Sequence, residues 1–170
     1  MSLFSPMFSP MFSFAKHPAP AALAVAMALA WPAQAEDASV QRRLDAEDIS
    51  YKVDGDGDYK ATFNYSSDKR TQLVFVSGKT EDVNGTAIRE IFSPAAKIEQ
   101  DGVSGTKALA LLEGSSRKKV GAWEIRNGVL YFVIKYPEPM SATQLHQIMN
   151  LAGTAADNME IEISGSKDAL

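Results

Sequence analysis

The sequence predicts an α+β domain with a mainly antiparallel sheet, and three observations lead to this prediction. The dipeptides Asn84-Gly85 and Asn127-Gly128 each stand between two apolar stretches, which is the pattern of a two-residue β-hairpin turn. Residues 59–65 alternate between apolar and polar side chains, as in a strand with one buried face. Apolar side chains then recur at helical spacing over residues 145–159.

The first half of the domain is expected to contain a helix and four strands. Ser39 is a candidate N-cap for a helix that ends near Glu47, since its hydroxyl can accept from a free backbone N–H. Pro94 is expected to end the pairing of the fourth strand, because proline has no N–H to donate. The four predicted strands cover residues 50–53, 58–65, 73–76 and 87–92.

The second half is expected to contain a helix, two strands and a final helix. The middle helix is predicted over 106–113, with Leu109 and Leu112 facing inward and Gly114 as its end. Two strands follow at 120–126 and 129–136. Ser141 and Gln144 then form a capping-box pattern, which predicts where the last helix begins.

The first 35 residues have the features of a cleavable export signal. A short basic flank precedes an apolar stretch over residues 21–31, which is too short to span a bilayer. Ala33 and Ala35 supply the small side chains that signal peptidase requires, so cleavage is predicted between Ala35 and Glu36. An uncleaved anchor or a buried helix is the alternative interpretation of this stretch.

This leader predicts a periplasmic or secreted protein. The remaining chain is expected to form a single domain over 36–164, followed by a flexible tail over 165–170. The whole chain has 17 Lys and Arg residues against 21 Asp and Glu residues, a formal net charge of −4. This balance argues against a nucleic-acid partner, and once the signal is removed no stable membrane insertion is expected. The chain contains no cysteine, which excludes disulfides and thiolate metal sites.

The acidic segment Asp54, Asp56 and Asp58 is a weak candidate for a metal site. Carboxylates at alternate positions begin a calcium loop, but that loop requires glycine at its sixth position and glutamate at its twelfth. Tyr59 and Tyr65 stand at those positions instead. A tight hairpin turn explains the same residues, because Asp and Gly tolerate left-handed backbone angles. A periplasmic protein that binds a small ligand or a cation through this acidic turn is kept as the alternative function.

The sequence gives no positive sign of an enzyme. No serine stands in a G-x-S-x-G motif, and His146, the only histidine after the leader, is too little to select a catalytic triad. No phosphate-binding glycine loop precedes a helix. We therefore expect a non-catalytic protein without a cofactor.

Two predicted strands, over 73–76 and 129–134, are apolar at successive positions and therefore on both faces. Three helices are too few to cover both faces of a six-stranded sheet, so some apolar surface is expected to remain for a second copy or a peptide. The candidate interface residues stand on these two strands or on the predicted strand over 120–126: Val74, Val76, Trp123, Leu130, Phe132 and Ile134.

The order of elements resembles that of the YbjN family, a bacterial sensory-regulator family whose fold is similar to that of the type III secretion chaperones. The resemblance covers the acidic turn over 53–59, the helix and strand over 109–123, the apolar strand over 129–136 and the capped helix from Ser141. The chain lacks the asparagines that family members carry in the middle helix, and Pro137-Glu138-Pro139 replaces their glycines before the last helix. The resemblance implies a non-catalytic fold that dimerises or holds a partner segment.

Overall fold

A computed structural model describes residues 37–65 and 70–165, and in these residues the chain forms an α+β fold. The predicted order of elements is confirmed. The elements are α1 (Ala38–Ala46), β1 (Tyr51–Val53), β2 (Tyr59–Tyr65), β3 (Arg70–Val83), β4 (Thr86–Lys97), α2 (Gly105–Ser115), β5 (Ala122–Arg126), β6 (Val129–Pro137) and α3 (Ala142–Ser164).

The six strands form one antiparallel sheet in the order β1-β2-β3-β4-β6-β5. Asn84 and Gly85 have φ values of 52° and 84°, and Asn127 and Gly128 have values of 49° and 77°. These positive angles at both central residues give the hairpin turns that match the twist of the flanking strands. The predictions of both turns are confirmed.

The helix ends follow the expected chemistry with two corrections. Asp37, not Ser39, is the N-cap of α1, and its side chain accepts from the Ser39 N–H at 2.8 Å. The capping box of Ser141 and Gln144 is present at the start of α3, as predicted. Gly114 does not end α2, which continues to Ser115, so the predicted end of this helix is wrong.

Pro94 does not end the pairing of β4, because it lies opposite Tyr131 and the strand runs on to Lys97. The register shifts between Pro94 and Ala96. Such an irregularity lets a strand accommodate a residue that cannot donate a backbone hydrogen bond.

The core lies between α3 and one face of the sheet, with α1 and α2 completing it. It combines helix residues with alternate strand residues, namely Val40, Leu44, Leu111, Leu145, Met149, Ala152, Ala156, Tyr59, Ala61, Val74, Val76, Ile91, Leu130, Phe132 and Ile134. Because side chains alternate along a strand, the residues between these positions point to the opposite face of the sheet.

The candidate interface residues lie in this core. Val74, Val76, Leu130, Phe132 and Ile134 are each at most 1% exposed. Trp123 is part-buried and packs against the core. These five buried side chains are therefore not available to a partner that packs on the sheet, because the helices already cover the face on which they stand. The assignment of Trp123 to an interface stays a prediction.

The inward face of α2 also differs from the prediction. Leu109 and Leu112 are 69% and 66% exposed, and the neighbouring Leu111 packs into the core at 6% exposure. Leu109 and Leu112 thus form an apolar ridge on the outside of α2.

Two further predictions concern residues outside the described ranges. Ala35 and Glu36, which flank the predicted cleavage point, and the tail after Gly165 lie outside these ranges. Within the described part of the chain, no helix has both the length and the apolar character needed to cross a membrane.

Candidate binding surfaces

The face of the sheet opposite the core, called here the open face, carries an aromatic row. Phe75 of β3 lies directly opposite Phe92 of β4, and their rings stack at 5.1 Å with an angle of 6° between the planes. Phe92 meets Tyr131 of β6 edge to face at 5.8 Å. All three side chains are only part-buried. In the described residues, the helices bury their apolar side chains against the other face, so this row faces outward.

A charged cluster of Glu90, Glu124, Arg126 and Lys135 lies beside the aromatic row. Arg126 of β5 donates to both carboxylate oxygens of Glu90 on β4, at 2.8 and 3.1 Å, and its guanidinium lies 5.8 Å from the centre of the Phe92 ring. The same guanidinium donates to Glu124 at 2.6 and 3.0 Å. Lys135 reaches Glu124 at 3.1 Å and Glu90 at 3.5 Å. Arg126 therefore extends across β6 and covers part of the Phe92 ring.

The charges of this cluster stabilise one another. Hydrogen bonds to Glu90, with further bonds to Glu124, raise the pKa of Arg126. Burial opposes ionisation of Glu124, but hydrogen bonds from Arg126 and Lys135 outweigh it and lower the pKa of this carboxyl. Two carboxylates thus face two cations, and the cluster is neutral as a unit.

A second surface, called here the α2–α3 groove, lies on the helix side of the molecule. It consists of two neighbouring hollows of about 420 and 490 Å³, and Lys118 lines both. Trp123 lines the first hollow and Phe132 the second, and their rings meet at 5.0 Å. The Lys118 ammonium lies 5.9 Å from the centre of the Phe132 ring. The groove therefore has an aromatic floor with a cation across its middle.

Gly121 is required for the shape of the second hollow. Its φ is +79°, and a Cβ at this position would lie 2.7 Å from two carbons of the Phe132 ring. Only glycine fits both the backbone angle and this close approach. The loop before β5 can therefore pass directly over the Phe132 ring.

The acidic segment forms a hairpin turn, as predicted. The Asp54 carboxylate accepts from the N–H groups of Asp56 and Asp58 at 3.0 and 3.1 Å, and the Asp58 carboxylate accepts from Gly78 at 3.0 Å. Burial and the nearby Asp54 and Asp56 charges raise the pKa of Asp58, although the Gly78 bond opposes this. These carboxylates fix the turn and its contact with β3.

Over the described ranges 37–65 and 70–165, no group of three or more histidine, aspartate or glutamate side chains is placed to hold a metal ion. His146 has one carboxylate neighbour, with its Nδ1 atom 3.0 Å from Glu47 Oε2. The geometry of the aspartates and of His146 is that of local structural contacts.

A buried ionic junction joins α1, β4 and the segment before α3. Glu138 accepts from Arg43 at 2.8 and 3.0 Å and also pairs with Arg89, whose second carboxylate partner is Asp37. Arg89 is 1% exposed. A charge this deeply buried must be paired, so the junction fixes the mutual positions of these elements.

Comparisons with known protein families, with curated proteins and with solved structures found no match to this chain. The candidate surfaces therefore depend on the geometry alone. Sequence reasoning missed Phe75, Phe92 and Tyr131. Strand alternation separates them from their core neighbours, but it does not show which of the two faces the helices cover. Phe75 and Tyr131 each stand next to residues that were predicted to form the interface, and Phe92 stands next to the buried Ile91.

Proposed function

We propose that the protein is a non-catalytic binding module, exported from the cytoplasm, that forms a homodimer through the open face of its sheet. The observation that carries the proposal is the outward-facing row of Phe75, Phe92 and Tyr131. Soluble proteins seldom leave a contiguous apolar patch in contact with water unless it binds something.

A second copy of the chain is the occupant that the charges favour. In a twofold dimer the same patch meets itself, so a patch of one sign would repel its copy. The charged cluster beside the aromatic row has two carboxylates and two cations, which allows each carboxylate to face a cation of the other copy.

The size of the open face is also suitable. Five strands, from β2 to β5 in the sheet order, lie side by side across it. At about 4.8 Å between strands and about 3.3 Å per residue, this face measures about 24 by 23 Å. The flat product of these dimensions is about 550 Å², close to the lower end of the roughly 600 to 1,000 Å² per partner that stable interfaces bury, and the side chains that project from the sheet add to it. The proposal also agrees with what the resemblance to the YbjN family implies, a fold that dimerises or holds a partner segment.

The test compares the wild-type chain with Phe75→Glu by sedimentation velocity over a range of concentrations. We expect the wild type to be a dimer and Phe75→Glu to be a monomer, because the change places two buried carboxylates, one from each copy, near the centre of the interface. Phe75 faces water in the monomer, so its replacement should leave the circular dichroism spectrum unchanged.

Leu109→Glu is the matched control. It also replaces an exposed apolar side chain by glutamate, but on the outside of α2. We expect this variant to dimerise like the wild type. A wild-type chain that stays monomeric at the highest concentration, or equal loss of dimer in both variants, would contradict the proposal.

A further inference from the structure

We propose that the α2–α3 groove binds an acidic amphipathic helix of another protein chain. This surface lies on the helix side of the sheet and is separate from the open face, so the inference goes beyond the proposed homodimer. It depends on the spacing, the apolar floor and the charges of the groove.

The two hollows are spaced like successive turns of a helix. Along α3, the first hollow is lined by Met159 and Glu162, and the second by residues between Asn150 and Asn158. Their centres are thus about seven residues apart, which corresponds to about 10.5 Å along a helix. A ligand helix lying alongside α3 would place apolar residues at i and i+7 into the two hollows.

The groove has an aromatic floor, and apolar side chains on the rim of its second hollow remain open to water. Trp123 and Phe132 form the floor, and Val120 and Leu151 on the rim are 42% and 44% exposed. An amphipathic helix needs to bury one face only and keeps its polar face in water, which suits an open groove. An acyl chain of similar length would leave much of its surface in water.

The charges around the groove favour an acidic ligand. Lys118 and Lys119 line the second hollow, and neither forms an ion pair with any described residue. Arg117 is 71% exposed in its side chain and has only a long contact of 3.8 Å to Glu113. The whole chain carries a net charge of −4, so this local excess of cations runs against its overall sign. Acidic side chains beside the apolar face of a ligand helix would pair with these cations.

The probe is a fluorescein-labelled peptide of about 18 residues, or five helical turns, with leucines at i, i+3, i+4 and i+7 and glutamates at most other positions. It is titrated with the full-length chain carrying Trp31→Phe, which leaves Trp123 as its sole tryptophan. We expect fluorescence anisotropy to rise on binding and the Trp123 emission to shift, because Trp123 lines the first hollow.

Two variants test the groove itself. The double change Lys118→Glu and Lys119→Glu is expected to weaken binding about tenfold or more, since it replaces attraction by repulsion. Leu151→Glu, which alters a rim side chain, is expected to weaken binding through the apolar contact. Lys52→Glu, an exposed change on β1 at the far edge of the sheet, is the matched control and should bind like the wild type.

The inference is overturned by any of three results. The first is that a peptide with the same composition but permuted leucine positions binds as tightly as the probe. The second is unchanged affinity in the Lys118 and Lys119 double variant. The third is a Trp123 response to sodium dodecanoate but not to the peptide, which would identify a small amphiphile as the ligand. Peptide binding is also measured with Phe75→Glu, so that a failure of the groove proposal can be distinguished from a failure of the homodimer proposal.

Discussion

Gly153, in the middle of α3, lets the helix approach the sheet. A Cβ at this position would lie 2.9 Å from the Tyr65 hydroxyl oxygen and 3.0 Å from Val74 Cγ2. Val74 is fully buried and has little room to move. Overpacking of this kind costs about 1 to 3 kcal/mol, which exceeds the gain of up to about 1 kcal/mol in helix propensity.

We therefore expect Gly153→Ala to lower the free energy of unfolding by about 1 kcal/mol or more. Gly114→Ala is its control, since Gly114 also lies inside a helix but the nearest atom to its Cβ is the end of the Arg117 side chain at 3.9 Å. This variant should gain up to about 1 kcal/mol. Urea denaturation of both variants measures the two effects, and a stabilised Gly153→Ala would show that α3 can move away from the sheet.

At the residue scale, the sequence predicts which strands are apolar but not which face the helices cover. Val74 and Phe75 are both apolar neighbours on β3, yet Val74 is in the core and Phe75 is on the open face. Alternation divides such a strand into two equivalent sets, and only the packing of α3 decides between them. In the helix α2, the face that packs against the core likewise decides that Leu111 is buried while Leu109 and Leu112 are exposed.

At the element scale, the features that depend on neighbouring residues in the sequence were predicted correctly. The Asn-Gly turns and the Ser141 capping box were predicted because each depends on two to four adjacent residues. The strand ends were less predictable, because pairing partners elsewhere in the chain determine them. Pro94 stays within β4 because β6 continues beside it.

The segment between β6 and α3 illustrates a contact that no local pattern indicates. Glu138 joins it to Arg43 of α1 and Arg89 of β4, and its carboxylate also accepts from the Met140 N–H at 3.0 Å. Burial opposes ionisation of Glu138, but hydrogen bonds from the two arginines outweigh it and lower the pKa of this carboxyl. The two arginines are far from Glu138 in the sequence, so these ion pairs became evident only in the fold.

We expect Glu138→Gln to lower the free energy of unfolding at pH 7 by about 3 kcal/mol, because Arg89 is left buried with less compensating charge. A lowered pKa means that the stabilisation by Glu138 is fully present above the ordinary value near 4.5 and is lost as pH falls through the lower folded value. Urea denaturation between neutral and acidic pH should therefore show a smaller fall in the free energy of unfolding for the variant than for the wild type.

Glu113→Gln is the control for this prediction, since the Glu113 side chain is 78% exposed and its contact to Arg117 is long. Its stability should stay close to that of the wild type at every pH. If Glu138→Gln and Glu113→Gln lowered the free energy of unfolding by the same amount, the buried junction would have no special role in stability.

At the scale of the whole molecule, Asp37 connects α1 to the sheet. Its side chain caps α1 and pairs with Arg89, and its carbonyl accepts from the Tyr59 hydroxyl at 2.8 Å. Burial opposes ionisation of Asp37, but the Ser39 hydrogen bonds and the charges of Arg89 and Arg43 lower the pKa of its carboxyl. The proposed cleavage after Ala35 would leave Asp37 as the second residue of the processed chain, with all of these contacts retained.

Export and processing are the last prediction. In a Gram-negative host we expect the protein to be recovered from the periplasm with an intact mass that corresponds to a chain beginning at Glu36. Ala35→Arg should block this processing, because signal peptidase requires a small side chain directly before the cleaved bond. Gln34→Arg introduces the same charge one residue earlier, where no small side chain is required, and should be processed normally. A wild-type mass that retains the leader would contradict the prediction. A chain that begins after Asp37 would also contradict it, and such a chain would lack the cap of α1 and one carboxylate partner of Arg89.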